Sequence, residues 1–578
     1  MNSPALTLSL PEEPGASSVA WFSAVAIGVV LTLPWLNPFA SGPLPPTMQT
    51  LLTGACLASA LGLGLAWIGV RQLARLFAGA WLIAALASAV IALIQYFGVS
   101  ADFEPWINIT RLGEAYGNLR QRNQLATLMN IGLLALLYLG QAHQPQMLIK
   151  PGRFALFFGA FVLTLGNVVS SSRTGTVQLG VIFALLLMWR AHKNAVVLSM
   201  MAGSAFAFVS GSLFLPWAAG LGFAGAGILN RLTAPVPACN SRITLWSNVL
   251  DLISLKPWTG WGWGELSFAH FVTRYPGLRF CEILDNAHNL PLHLAVELGV
   301  PVALALFCAL IWLVWRSKPW AEGNAARQMA WAVLAMILLH SLLEYPLWYG
   351  PFQLATLSCI WLLWRTRALN YLHRSMPPTG NRPTSRAPVS RPTNGPQTLQ
   401  NTRGTPTPLP ISARKSVGDA PVTTTSANAA AAALAGEHPN ASVSQTRRFL
   451  ELGFALILMA GCAYAAWDYW RISQIYLPLE QRSPDYRGDT LGKIKGSWLF
   501  RNQVAFAKLT TTDVNAENAP RMYRLSSTLM HFSPESRVVQ KLIESSARLG
   551  KLEEVAAYRE RFAVVYPADY AAWVAINP

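Results

Sequence analysis

Long apolar runs decide what this chain can become. Stretches such as Leu76–Phe97, Ala195–Leu215 and Phe449–Trp467 hold about 20 residues with almost no charge, the length that crosses a bilayer as a helix. In a bilayer every backbone polar group must be bonded within the protein, so such runs become helices and exclude irregular chain facing lipid. The composition agrees: 53% of the 578 residues are apolar and only 12% are charged, with 22 Trp and 25 Phe. These proportions exclude collagen, coiled coil, a disulfide-rich secreted module and a disordered chain.

About eleven candidate spans follow: Val19–Leu36, Met48–Val70, Leu76–Phe97, Gln124–Gly140, Phe154–Val169, Thr176–Trp189, Ala195–Leu215, Asn289–Trp315, Gln328–Leu343, Trp348–Trp364 and Phe449–Trp467. Arg71 and Arg75, Lys150 and Arg153, Arg190 and Lys193, Arg316 and Lys318, and Arg365 and Arg367 follow the even-numbered spans. Basic loops stay in the cytoplasm, so the N-terminus starts inside and the C-terminal segment lies outside. The first 18 residues lack a basic n-region and are expected to remain uncleaved. The net charge of +17 sits mostly in the inner loops and in 365–448. It records topology and does not call for nucleic acid as a partner.

The expected organisation is a cytoplasmic tail, 1–18, and a membrane domain, 19–374, with a large periplasmic loop, 216–288. A flexible linker, 375–447, follows, rich in Pro, Thr, Ser and Ala. A last span, 448–467, leads to a periplasmic helical domain, 468–578. Within that domain Pro534, Gly550 and Pro567 punctuate a helical hairpin of tetratricopeptide-like type. The stretch Ala218–Leu229 is Gly/Ala-rich and suits a re-entrant or interfacial piece.

Of the six cysteines, Cys56, Cys308, Cys359 and Cys462 fall within spans as packing residues. Cys239 and Cys281 share the outer loop, where an oxidising compartment allows a disulfide. No spacing of Cys and His suggests a metal site. No Walker, Rossmann or paired-Asp nucleotide-sugar motif is present, which argues against a nucleotide substrate.

Three ionisable groups stand out on the outer face: Arg173 in a Ser-Ser-Ser-Arg-Thr-Gly turn, Arg242 after Asn240–Ser241, and His288 in Asp285–Asn286–Ala287–His288–Asn289. Each has a plainer reading. Arg173 could snorkel to lipid phosphates, Arg242 could be a solvated loop charge, and His288 could cap the span that follows. His293 competes for any histidine role. His340 and Glu344, four apart, are expected to share a helix face and pair with each other. Chemically, two arginines and a histidine suit a diphosphate leaving group and a hydroxyl nucleophile.

Four passages make the chain recognisable: Gly117–Asn118–Leu119–Arg120–Gln121–Arg122–Asn123–Gln124; the turn at Arg173; the stretch from Ser241–Arg242 through Trp258–Thr259–Gly260–Trp261–Gly262–Trp263–Gly264 to Asn286–Ala287–His288–Asn289; and His340–Ser341–Leu342–Leu343–Glu344–Tyr345–Pro346–Leu347–Trp348–Tyr349. Together they resemble the O-antigen ligase/polymerase (Wzy_C) superfamily. Within it the chain looks most like the bacterial protein O-oligosaccharyltransferases of the PglL or pilin-glycosylase type. The resemblance implies an all-α, polytopic, GT-C-like inner-membrane enzyme without cofactor or required metal. It implies an undecaprenyl-diphosphate oligosaccharide as donor. It also implies a Ser or Thr hydroxyl of an exported protein, such as a type IV pilin, as acceptor. Carried over by position, His288 is the general base, and Arg173 and Arg242 hold the diphosphate. Gln121 and Asn123 line the donor site or cap span four. Tyr345 and Tyr349 recognise the acceptor or anchor at the aromatic belt. The alternatives within the superfamily are an O-antigen ligase that transfers the glycan to lipid A-core and an O-antigen polymerase, and a transporter is a more distant alternative.

Overall fold

The computed structural model describes residues 18–39, 45–142, 150–221, 237–367 and 441–576. All regular structure among them is helical. The membrane part comprises α1 (Ser18–Leu36), α2 (Pro45–Gly62), α3 (Val70–Tyr96), α4 (Arg122–Ala142), α5 (Lys150–Val169), α6 (Arg173–Met188) and α7 (Ala195–Ala218). The loop expected on the outer side contributes α8 (Arg242–Leu255) and α9 (Leu266–Val272). Then come α10 (Leu290–Leu298), α11 (Val300–Ser317), α12 (Ala325–Ser341), α13 (Gly350–Arg365) and the long α14 (Ala441–Ser473). The C-terminal region stacks α15 (Arg501–Thr510), α16 (Ala519–Phe532), α17 (Ser536–Arg548), α18 (Leu552–Val565) and α19 (Pro567–Ile576).

Each candidate span overlaps a helix, and six described helices are long and apolar enough to cross a membrane by length and composition. Several boundaries differ from the sequence reading, two of them in ways that change its meaning. Arg71 and Arg75 lie in the first turns of α3, because the chain re-enters a helix at Val70. The run Asn289–Trp315 is two helices, α10 and α11, broken at Gly299. Gly299 has φ +86° and lies against the backbone of Trp258, where a side chain would collide. Only glycine satisfies both demands. Gly260 (φ +66°) meets the Glu297 carbonyl in the same way, and Val300 N–H donates to the Pro257 carbonyl at 2.8 Å. The Trp-Gly-Trp-Gly turn is thereby sewn onto the α10–α11 break.

α4 is the centre of the bundle, touching α3, α5, α6 and α12. It buries Leu125, Leu128, Met129 and Ile131 completely. Several polar side chains inside the bundle are bonded to one another. Asn130 Nδ2 donates to Gln178 Oε1 (3.0 Å), Asn167 Nδ2 to Asn130 Oδ1 (3.1 Å), and Gln178 Nε2 to Thr127 Oγ1 (3.0 Å) and the Met336 carbonyl (2.9 Å). Buried amides without such partners would cost several kcal/mol each in a hydrocarbon setting.

In the C-terminal region, α17 and α18 form the expected hairpin. Gly550 (φ +72°) ends α17, with Lys551 N–H bonded to the Ser546 carbonyl and Gly550 N–H to that of Ala547. This pattern is the Schellman cap that a glycine after a helix predicts. The helices on either side extend the stack, which sequence alone had not resolved. The stack joins the outer loop. Phe268 and Phe271 of α9 enter the same apolar cluster as Leu529, Val538, Leu542 and Phe562. Arg274 pairs with Glu560 at 2.6 Å, and His531 with Glu265 at 2.7 Å.

The expected linker, 375–447, lies outside the described residues up to 440. Its last seven residues already belong to α14. The Gly/Ala-rich stretch beyond Leu221 also lies largely outside them.

Candidate active site

The site grows from helix starts. Three helices begin at capped Ser or Asn residues, and the three predicted ionisable groups stand beside those caps. Ser172 Oγ accepts from Gly175 N–H at 3.0 Å, which starts α6 at Arg173. Ser241 Oγ accepts from Thr244 N–H at 3.1 Å, which starts α8 at Arg242. Asn289 Oδ1 accepts from Leu292 N–H at 3.1 Å, which starts α10 directly after His288. Such caps are the usual way to satisfy a helix's first N–H groups. Each helix also aims the positive end of its dipole toward its own start, where anions bind well.

These elements meet at one residue, Glu344, in the turn after α12. Its Oε2 accepts from His288 Nδ1 at 2.6 Å and from Gln121 Nε2 at 3.3 Å. Its Oε1 accepts from Asn123 Nδ2 at 3.2 Å and from Arg242. Asn123 passes the connection on, since Ser172 Oγ donates to its Oδ1 at 2.7 Å. Arg173, with an exposed side chain, is therefore one residue from the network. Tyr345 sets its ring edge-on to His288 at 4.9 Å and stacks on Tyr349 at 6.1 Å between centroids. All the residues predicted for the site thus lie in or beside one constellation drawn from five separate segments.

Electrostatics follow from this packing. Burial alone pushes the Glu344 carboxyl up. The hydrogen bond and charge of His288, with the charge of Arg242, outweigh it and hold the group below its ordinary value. Burial pushes the Tyr345 hydroxyl well up, so it stays protonated and can donate. His288 has φ +49°, a left-handed backbone that a residue with a side chain adopts at a cost. The Asn286 side chain holds that turn by accepting His288 N–H at 2.7 Å. Strain retained in this way concentrates at functional positions.

One sequence expectation is overturned. His340 and Glu344 do not pair through their side chains. α12 ends at Ser341, the chain turns out of helical geometry, and Glu344 swings toward Arg242 and His288. His340 Nδ1 instead meets Thr127 Oγ1 at 3.0 Å. Glu344 is the residue that sequence reasoning undervalued. Pro346, two residues on, was the available signal, because a proline there announces the end of the helix.

The loop that carries Arg242 and His288 is held independently. Cys239 and Cys281 have Cα atoms 5.4 Å apart with their sulfurs bonded. His270 Nε2 faces the Phe280 carbonyl at 3.1 Å, and a carbonyl only accepts, so Nε2 carries the proton. Nδ1 therefore accepts from Tyr275 O–H at 2.7 Å. Burial pushes this imidazole down to about 3, consistent with a neutral structural histidine. No cluster of three potential metal ligands occurs among the described residues.

Comparison with known proteins places these residues within matched segments. A family model described as O-antigen ligase matches residues 158–308. One described as protein glycosylation ligase matches 115–139. One described as virulence factor membrane-bound polymerase, C-terminal, matches 328–382 and 429–578. Two curated proteins of Acinetobacter baylyi are similar. A general O-oligosaccharyltransferase is 27% identical over 277 residues, 47% of either chain. A ComP-specific O-oligosaccharyltransferase is 26% identical over 247 residues, 42% of either chain. The chain thus spans about half the length of the curated relatives it matches. These matches bear out the resemblance to the O-antigen ligase family and its protein-glycosylating branch.

Proposed function

We propose that this protein is a glycosyltransferase of the oligosaccharyltransferase kind, moving a preassembled oligosaccharide from undecaprenyl-diphosphate to Ser or Thr hydroxyls of exported proteins, such as a pilin. The observation that carries the reading is the convergence of His288 and Arg242 on Glu344, beside the capped starts of α8 and α10. His288 is the base for the acceptor hydroxyl. Arg242 and Arg173, with the helix starts they occupy, hold the departing diphosphate. Fixed cations serve such a leaving group well, because its charge grows in the transition state. Gln121 and Asn123 line the donor side, and the Tyr345–Tyr349 pair offers the acceptor a protonated hydroxyl and an aromatic face. The chemistry asks for no nucleotide and no metal.

The setting proposed is the bacterial inner membrane. About eleven spans and a cytoplasmic N-terminus put the site, the loop 216–288 and the region 468–578 on the periplasmic face, in line with the basic loops. The linker 375–447 then stays inside.

The test is expression in cells that carry a lipid-linked glycan and a candidate pilin. Glycan on the pilin, lost with His288→Ala, supports the reading. Glycan appearing only on lipid A-core turns it toward a ligase, and elongation of the lipid-linked glycan turns it toward a polymerase. Reporters fused within 375–447 and after 468 should behave as cytoplasmic and periplasmic, respectively.

A further inference from the structure

The proposed transfer gives no task to Glu344, yet the site is arranged around it. Its side chain is only 8% exposed. Three groups donate to it whatever the state of His288, Arg242 and Asn123 on Oε1 and Gln121 on Oε2, and His288 Nδ1 shares a hydrogen with Oε2. The Arg242 guanidinium, always charged, and the two amide donors favour the ionised carboxylate, which only accepts. The group is therefore an ionised acceptor, and the hydrogen shared with His288 belongs to the imidazole.

We infer that Glu344 is the positioning residue of the site: it fixes His288 as the Nδ1–H tautomer, leaving Nε2 as the base, and restrains Arg242 beside it. The inference rests on the reading of the site as a glycan-transfer centre. The reaction then balances without a further reagent. The acceptor oxygen forms its bond to the anomeric carbon as Nε2 takes the hydroxyl proton. The bond from that carbon to the diphosphate oxygen breaks, and its electron pair leaves with the diphosphate. The imidazolium that forms lies against the Glu344 carboxylate, which offsets its charge. The proton later returns to water. An acid beside a histidine base has this double effect, on tautomer and on charge, wherever it occurs.

Four independent segments support the arrangement. Arg242 comes from the start of α8, His288 from the end of the outer loop, Gln121 and Asn123 from the entry to α4, and Glu344 from the turn after α12. A carboxylate serving only to hold helices together would not need the strained backbone at His288, nor the Asn286 contact that keeps it. The titratable and charged groups facing Glu344 and His288 are Arg242, His293, His340, Tyr345, Tyr349 and Asp285. Any pH response has to be read against all of them.

The experiment uses the full chain in membranes, with lipid-linked oligosaccharide and acceptor protein, and compares Glu344→Gln, Glu344→Asp and wild type across pH. Glu344→Gln is expected to lower kcat by roughly 10²-fold or more with the donor KM within about threefold, because the amide can favour the wrong tautomer. Its acidic limb should move to lower pH, because the charge that stabilised the protonated imidazole is gone. Glu344→Asp should restore part of kcat. A purely structural acid would show an unmoved acidic limb, or Asp no better than Gln, and either result overturns the inference. A parallel measurement follows the pH at which diethylpyrocarbonate modifies His288, read by mass spectrometry. That midpoint should fall in Glu344→Gln even if no glycan is transferred. A shifted midpoint without transfer would sink the proposed function and leave the positioning role standing. An unshifted midpoint would sink the positioning role.

Discussion

Two polar networks share the helices α4, α6 and α12 in this protein, and they are opposite in kind. Around Glu344 the groups are charged, and Arg242 keeps 41% of its side chain exposed. A turn or two deeper, Thr127, Asn130, Asn167, Gln178 and His340 are buried, and the contacts that join them are hydrogen bonds between uncharged polar groups. The two layers meet where Asn123, in the upper one, stands one turn before Thr127 in the lower: Thr127 Oγ1 donates to the Asn123 carbonyl at 2.8 Å. The difference teaches where each type of group can be used. Charge is tolerated where water and substrate reach it, and deeper in a membrane protein only hydrogen bonding between neutral groups holds helices without the cost of isolated ions. The upper layer is therefore suited to chemistry and the lower to fixing the helices that carry it.

This division can be broken by experiment. The largest effect is expected from His288→Ala or Arg242→Ala, which should lower transfer to an acceptor protein by ~10²-fold or more. Glycosylated acceptor, quantified on a gel against total enzyme in the membrane, is the measurement. Wild-type levels from either variant would remove the upper layer from the chemistry. Next, Cys239→Ser should destabilise the outer loop by about 2–4 kcal/mol, the usual range for a lost disulfide. Limited proteolysis between residues 239 and 281 would report it, and unchanged protection would show that the bridge does not hold the loop.

Smaller still is the expected effect of Gln178→Leu in the lower layer, about 0.6–2 kcal/mol, since bonds between membrane helices are individually modest. It should lower the thermal midpoint in detergent while leaving the transfer rate per folded molecule within about threefold. Lost transfer at an unchanged midpoint would mean that the lower layer takes part in the reaction. The smallest effect concerns pH. The Glu344 carboxyl is held below its ordinary value of 4.5. Its contribution to stability is therefore complete above that value and disappears as pH falls through the lower, folded value. Thermal midpoints taken through this acidic range should decline less steeply in Glu344→Gln than in wild type.

Much of the architecture was legible because membrane helices announce themselves by length. The candidate spans all fall on helices, and Gly550 marked the turn of the C-terminal hairpin. The break at Gly299 was not legible. It depends on a backbone contact with Trp258, 41 positions earlier, that no local pattern encodes. In the site, Arg242, His288, Gln121 and Asn123 were visible as polar residues in distinctive turns, but their common partner was not. Helical spacing assigned Glu344 to His340, and only the end of α12 one turn earlier releases it. The joining of α9 to the C-terminal stack was equally hidden, since Phe268 and Phe271 read as ordinary apolar residues of an outer loop.

That last joint has a consequence for how the protein is made. Glu265 and His531 are 266 residues apart, and Arg274 and Glu560 are 286 apart, yet each pair closes the same surface. A ribosome delivers the outer loop long before the helices that cover its apolar side. During that interval Phe268 and Phe271 lack the cover that α16 to α18 give them. Completion of this apolar surface thus waits for translation of α16 to α18. A nascent or prematurely ended chain would carry that surface uncovered and open to non-specific association.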